Sequence, residues 1–272
     1  MNRIYGIFVT AMLAMGIAIP CYAERIVCEG STTVLPVAQR AAEEYMNSHK
    51  DADISIRGGG SGVGITSLIE GTCTIADSSR PMKDEELDKA VSRGKDPRAY
   101  TICMDGIAVI VHKDNGVKGL TKQQVKDIYT GKTSFWSSLG GSGEKIVVVS
   151  RDSASGTFEA FGELALDKQK VRKDALMEAS NQAVASVVAS TPGAIGYVGL
   201  AYIKDGVKAL ELNGVMPSKE TVLSKKYAMS RPLFMYTNGP ATGLAKDFID
   251  YIVSPEGQKL VDEEGYVGLM NK

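Results

Sequence analysis

Histidine and tryptophan are scarce: the 272-residue chain has two of the first and one of the second, with four cysteines. A Ser-His-Asp hydrolase needs a histidine between nucleophile and acid. His49 lies on a solvent-facing helical pattern and His112 at a strand end, and neither belongs to a recognisable catalytic motif. No pair of cysteines or histidines has zinc spacing. An excess of one charge sign is also lacking, with 31 basic against 32 acidic side chains. Nothing in that balance draws the chain to nucleic acid or to an anionic membrane surface.

One long apolar run exists, and it stands at the amino end. Asn2-Arg3 form a short basic start, Ile4 to Ile19 are almost wholly apolar, and the stretch closes on Pro20-Cys21-Tyr22-Ala23 with small residues at the −3 and −1 positions. This run is shorter than the roughly 20 residues of a spanning helix. It reads as a secretory signal peptide over residues 1–23, cut after Ala23, which makes the product periplasmic. Pro20 before Cys21 fits a lipoprotein signal poorly, so a soluble product is expected. Cys28, Cys73 and Cys103 survive cleavage, an odd number that allows at most one intramolecular disulfide.

With 44% hydrophobic and 23% charged residues the rest is an ordinary globular composition, long enough for one large domain or two small ones. Short β-branched runs alternate with helical patterns. Strand patterns at 25–28, 53–57 and 74–76 enclose helical ones at 37–49 and 64–70, a βαβαβ series that predicts a largely parallel sheet. After a helix at 84–93, residues 100–113 form a long apolar strand broken at Asp105-Gly106. A second series follows: helix 122–129, strand 145–150, helices 157–166 and 181–190, strand 194–197. An extended run at 227–237 precedes helices at 241–253 and 255–264. Two α/β units joined by two extended segments, near 105 and 230, are expected.

Four small, polar loops recur after a strand and before a helix: EGSTTVLP (29–36), GGGSGVG (58–64), ADSSRPM (76–82) and SRDSASGT (150–157). In a parallel α/β sheet such turns gather at the carboxyl edge of the strands. Each helix start carries unpaired N–H groups and about half a positive charge, so a ring of them with Ser and Thr hydroxyls suits an anion. Ser, Thr and Asp are also ordinary helix caps, so one such loop alone says little. Known motifs fail by residue. GGGSGVG has Val63 where a nucleophile elbow needs glycine, and no G-x-G-x-x-G spacing. GKT at 131–133 follows a helix, with Lys126 where a phosphate loop needs its first glycine. Trp136 is expected to pack beneath the WSSLGG turn.

Taken in order, GSTTVLP, GGGSGVGI, SSRPMKDEEL, DGIAVIVHKDN, LTKQQVKDIYTGKTSFWSSLGG, SRDSASGTFEAF, GAIGYVGLAY and DFIDYIVSPEGQKLVDEEGYVGL, from about 28 to 269, resemble the short phosphate-binding proteins of ABC-type phosphate importers. The resemblance implies a type 2 periplasmic-binding-protein fold: two α/β domains, two crossover strands, and a ligand cleft between them. Domain I would comprise 24–105 plus 231–272, and domain II 106–230. It implies a non-enzymatic monomeric receptor without cofactor, whose partners are inorganic phosphate and a membrane permease, with no nucleic acid. Its contacts would be Ser31, Thr32, Thr33 and Ser61 from one domain and Ser155, Gly156 and Thr157 from the other, with Arg151 the close positive charge.

One departure concerns the ligand's proton. Longer relatives have an aspartate, where this chain has Ser79, that accepts the proton of HPO4 and rejects sulfate; Asp105 or Asp77 is expected to take that role, Asp105 by preference. Ser153 also replaces an acid that partners the arginine, a role Asp152 could fill. Competing readings are a receptor for tungstate, molybdate or sulfate, and, in a different class, a secreted phosphatase.

Overall fold

A computed structural model describes residues 24–269; the expected signal peptide and cleavage point lie outside the described residues. In chain order the elements are β1 (Arg25–Gly30), α1 (Leu35–Ser48), β2 (Asp53–Arg57), α2 (Ser61–Glu70), β3 (Ile75–Ser78), α3 (Asp84–Ser92), β4 (Pro97–His112), β5 (Gly119–Leu120), α4 (Lys122–Tyr129), β6 (Val147–Arg151) and α5 (Gly156–Leu164). Then come β7 (Leu176–Glu178), α6 (Asn181–Ser190), β8 (Ala194–Gly199), β9 (Val207–Ala209), β10 (Glu211–Leu212), α7 (Lys219–Leu223), β11 (Ser230–Asn238), α8 (Gly243–Val253) and α9 (Pro255–Glu263).

The main sheet runs β2-β1-β3-β11-β4-β8-β6-β7, with β9 beside β4. Its two ends are parallel, β1 with β2 and β3, and β6 with β7 and β8. The middle is antiparallel: β11 pairs with β3 and β4, and β4 pairs with β8. The expected largely parallel sheet is therefore two parallel sets joined by two long antiparallel strands.

Those two strands carry the chain from one core to another. On β4, Ile102 and Cys103 pack with α1, α8 and Leu233 of β11, whereas Ile107 to Val111 pack with β8, α4 and Trp136. Asp105-Gly106 does not break β4; the irregularity lies further along the ladder, where Leu233 faces Cys103 and Phe234 faces Thr101. A side chain at Gly106 would meet Val222 Cγ2 at 2.8 Å, so this glycine makes room for α7. Trp136 is fully buried and donates from Nε1 to Gly193 O at 2.9 Å, a packing role. All three cysteines of the described residues are buried and free.

Local chemistry sets where the helices start. Pro36 sits in the first turn of α1, where a missing N–H costs nothing, and Val37, Ala38, Ala41, Ala42 and Tyr45 form its buried stripe. Gly71, in the left-handed region at φ 78°, ends α2. Ser155 caps α5 by accepting from Phe158 N at 3.1 Å, and Ser180 caps α6 by accepting from Ala183 N at 3.0 Å. In both parallel sets the helices therefore begin at the carboxyl edge of the strands, and the two edges face each other.

Candidate anion site

The four loops converge as expected, and a fifth joins them. Ser31 Oγ accepts from Thr33 N at 3.1 Å and Val34 N at 3.4 Å, shaping the turn that leads into α1. Tyr202 and Tyr266 donate to the carbonyls of Thr32 and Thr33 at 2.6 and 2.5 Å, bracing that turn from beneath. Across the seam, Thr33 Oγ1 lies 2.9 Å from Thr157 Oγ1, and Gly62 N donates to Ala154 O at 2.9 Å. Ser61 Oγ at the start of α2 accepts from Ser79 N at 3.0 Å and stands 3.3 Å from Ser79 Oγ. A side chain at Gly156 would meet Ser61 Oγ at 2.3 Å, so glycine is what lets α5 approach α2. Ser31, Thr32, Thr33, Ser61, Ser79, Ser155 and Thr157 are all buried.

Arg151 ends β6 with 1% of its surface exposed. Its Nε donates to Glu178 O at 3.0 Å, and Nη2 to Ala179 O at 2.9 Å and Thr32 Oγ1 at 3.3 Å. Its Nη1 is buried without a hydrogen-bond partner among the described residues. Burial pulls this guanidinium below the usual arginine value, the mark of a desolvated charge. The Asp152 charge opposes that fall without a direct bond to Arg151 among the described residues; its Oδ1 accepts from Ala154 N at 3.0 Å and shapes the following turn. An unpaired, buried donor with a full charge costs several kcal/mol, roughly, unless an anion meets it.

Asp105 faces Arg231 directly across the β4–β11 ladder. Its Oδ2 accepts from Arg231 Nη2 at 2.9 Å and Nε at 3.2 Å, and its Oδ1 from Leu200 N at 3.0 Å. Burial raises this carboxyl above the ordinary range, and the Arg231 charge opposes the rise. Arg231 reaches on to Ser79 O at 3.2 Å, Thr157 Oγ1 at 3.0 Å and Thr33 Oγ1 at 3.3 Å. Asp77 on β3 is also fully buried, with neither carboxylate oxygen hydrogen-bonded among the described residues, and burial alone pushes its carboxyl up to about 8.

Two residues of this centre were not expected from the sequence, Arg231 and Asn181. Asn181, the first residue of α6, donates from Nδ2 to Thr32 Oγ1 at 3.1 Å and Thr33 Oγ1 at 3.0 Å. Its loop follows β7 and precedes α6, the same strand-to-helix place as the other four, but β7 is three residues long and mostly exposed. His49 stacks on Tyr45 at the far end of α1, and His112 accepts locally from Asp114 N, so neither is part of the centre. Among the described residues no group of three or more His, Cys, Asp and Glu could hold a metal ion. Chemically the arrangement offers facing helix starts, hydroxyls, and two buried guanidinium groups against one carboxylate, which is suited to holding a small anion.

This fold and site define a periplasmic-binding-protein-like receptor: residues 20–256 match the family model described as the PBP superfamily domain. The phosphate-binding protein PstS of Bacillus subtilis (strain 168) is 37% identical over 243 residues, covering 88% of this chain and 78% of that protein. PstS of Staphylococcus epidermidis (strain RP62A) is 36% identical over 258 residues, covering 90% and 78%. The chain belongs to this family of phosphate-binding proteins. Among solved structures, a putative phosphate ABC transporter substrate-binding protein from Clostridium perfringens with bound phosphate is 37% identical, with TM-score 0.85 over 90% of this chain and 100% of that one. An ABC-type phosphate transport receptor from Vibrio cholerae is 29% identical, with TM-score 0.73 over 89% and 99%.

Proposed function

We propose that this protein is the substrate-binding component of an ABC phosphate importer, taking up inorganic phosphate between its two halves and presenting it to a membrane permease. The observation that carries this reading is Arg151 Nη1, a buried donor without a partner, set among helix starts and hydroxyls from both sides of the seam. The phosphate-binding relatives support it. Ser31, Thr32, Thr33, Ser61, Ser79, Ser155, Gly156 and Thr157 line the site, Arg151 supplies the close charge, and Asp105 enters through Arg231. The division runs 24–105 plus 231–272 against 106–230, following the change of core along β4 and β11.

Phosphate is small and strongly hydrated, so the protein has to replace its water shell with donors rather than rely on apolar area. Charge-assisted hydrogen bonds contribute about 1.5–3 kcal/mol each against water, so several are needed to reach micromolar binding at about −8 kcal/mol. Donors sit on both units, so the ligand favours the form in which the units meet. Export to the periplasm with cleavage after Ala23 and action as a monomer complete the reading. Among the described residues no helix is long and apolar enough to cross a membrane. The test is calorimetry on Arg151→Met: phosphate binding should be lost with folding retained, and undiminished affinity would refute the assignment.

A further inference from the structure

A hydroxyl has one proton to give and two lone pairs to fill. In this site buried N–H groups point at the threonine hydroxyl oxygens. Thr32 Oγ1 accepts from Arg151 Nη2 at 3.3 Å and Asn181 Nδ2 at 3.1 Å. Thr33 Oγ1 accepts from Asn181 Nδ2 at 3.0 Å and shares with Thr157 one N–H of Arg231 Nη2, 3.3 Å away, whose other N–H serves Asp105. Thr32 therefore has only its proton left to offer, and Thr33 is filled from the same side. Thr33 Oγ1 stands 2.9 Å from Thr157 Oγ1, so one of the two gives its proton to the other and the pair keeps one proton to donate outward. Thr157 Oγ1 is also an acceptor for Arg231 Nη2, at 3.0 Å. The Asn181 amide cannot turn over without loss, because its Oδ1 accepts from Gly199 N at 3.2 Å.

We propose that Asn181 and Arg231 are positioning residues that lock Thr32 and the Thr33–Thr157 pair as donors, with Asp105 serving as the counter-charge of Arg231 rather than as acceptor of a ligand proton. The proposal rests on the phosphate reading and deepens it. Both Asp105 oxygens are engaged, by Arg231 and by Leu200 N. Ligand protons are left the serine hydroxyls: Ser79 Oγ of the Ser61–Ser79 pair, and Ser155 Oγ, which accepts from Phe158 N and keeps a second lone pair. A face of donors favours the phosphate ion with the most bare oxygens. The charged groups around it are Arg151, Arg231 and Asp105, and Asp77 lies on β3 without a charged partner.

The test is calorimetric titration of the protein with inorganic phosphate at about pH 5.5, where the monobasic ion dominates, and about pH 7.5, where the dibasic ion does. Wild type should bind at least about tenfold more tightly at the higher pH. Asn181→Ala frees a lone pair on each of Thr32 and Thr33, so that ratio should shrink to about threefold or less, whatever the absolute loss. An equal loss at both pH values marks a merely structural role and overturns the proposal. Asp105→Asn should keep the wild-type ratio; collapse of the ratio in this variant assigns the ligand proton to Asp105 and also overturns it. If Asn181→Ala does not fold, Asn181→Leu keeps the volume and carries the same test. Asp77 is common to all these proteins and cancels in the comparison. Wild type that binds phosphate equally at both pH values refutes the inference alone, whereas wild type that binds none refutes the functional reading.

Discussion

Adding one methyl group at Gly156 should separate folding from binding. A Cβ there would lie 2.3 Å from Ser61 Oγ, 2.8 Å from Ser79 Oγ and 2.9 Å from Ser61 Cβ. Turning the Ser61 hydroxyl away leaves the Cβ contact, so the two units have to separate by about 1 Å to restore ordinary contact distances. At that separation the Thr33–Thr157 bond of 2.9 Å opens to roughly 4 Å, beyond hydrogen-bonding range. A ligand held from both sides would lose at least two charge-assisted bonds, about 3–6 kcal/mol, or a hundredfold or more in affinity. Gly156 begins α5 and its backbone is not in the left-handed region, so Gly156→Ala should hold or slightly raise the melting temperature. Calorimetry and thermal melting check both halves of the statement. Affinity within threefold of wild type, with the fold intact, would refute the argument that the approach of α5 to α2 builds the site.

The buried Asp77 makes a stability prediction with a definite sign. Its folded value near 8 lies above the ordinary carboxylate value, so its contribution is fully present below about pH 4 and is lost as pH rises through about 8. Asp77→Asn should stabilise the protein above pH 8 by on the order of 5 kcal/mol and flatten the pH dependence of urea unfolding between pH 4 and 8; a variant no more stable than wild type there would contradict the neutral-acid reading. Across the seam, Glu159 of α5 pairs with Lys83 Nζ at 2.6 Å and faces Arg80 Nε, while Arg80 keeps Glu86 at 2.7 Å. Glu159→Gln should weaken phosphate binding by about tenfold, mainly through faster release, and should reduce the salt dependence of release measured by stopped flow.

Much of the anion centre was legible because helix starts are written locally: Ser31, Ser61, Ser155 and Thr157 follow short β-branched runs and precede apolar-periodic ones. Arg231 was not, since its meeting with Asp105 depends on the register of two strands 126 residues apart in sequence. Asn181 escaped because the strand before it, Leu176–Glu178, is too short and exposed to stand out from a loop. Gly106 misled for a packing reason: glycine next to aspartate reads as a turn, yet here it leaves space for Val222 inside an unbroken strand. The antiparallel middle of the sheet was equally invisible, because the pairing of β4 with β11 and β8 joins segments far apart in sequence.

The most direct test of the account is calorimetric titration of the wild-type protein with phosphate, sulfate, molybdate, tungstate and a phosphate ester, with the ester also assayed for turnover. The account predicts one saturable site for phosphate, at least about tenfold tighter than for the other oxyanions, and no release of phosphate from the ester. Tighter binding of sulfate, molybdate or tungstate, or turnover of the ester, would contradict it.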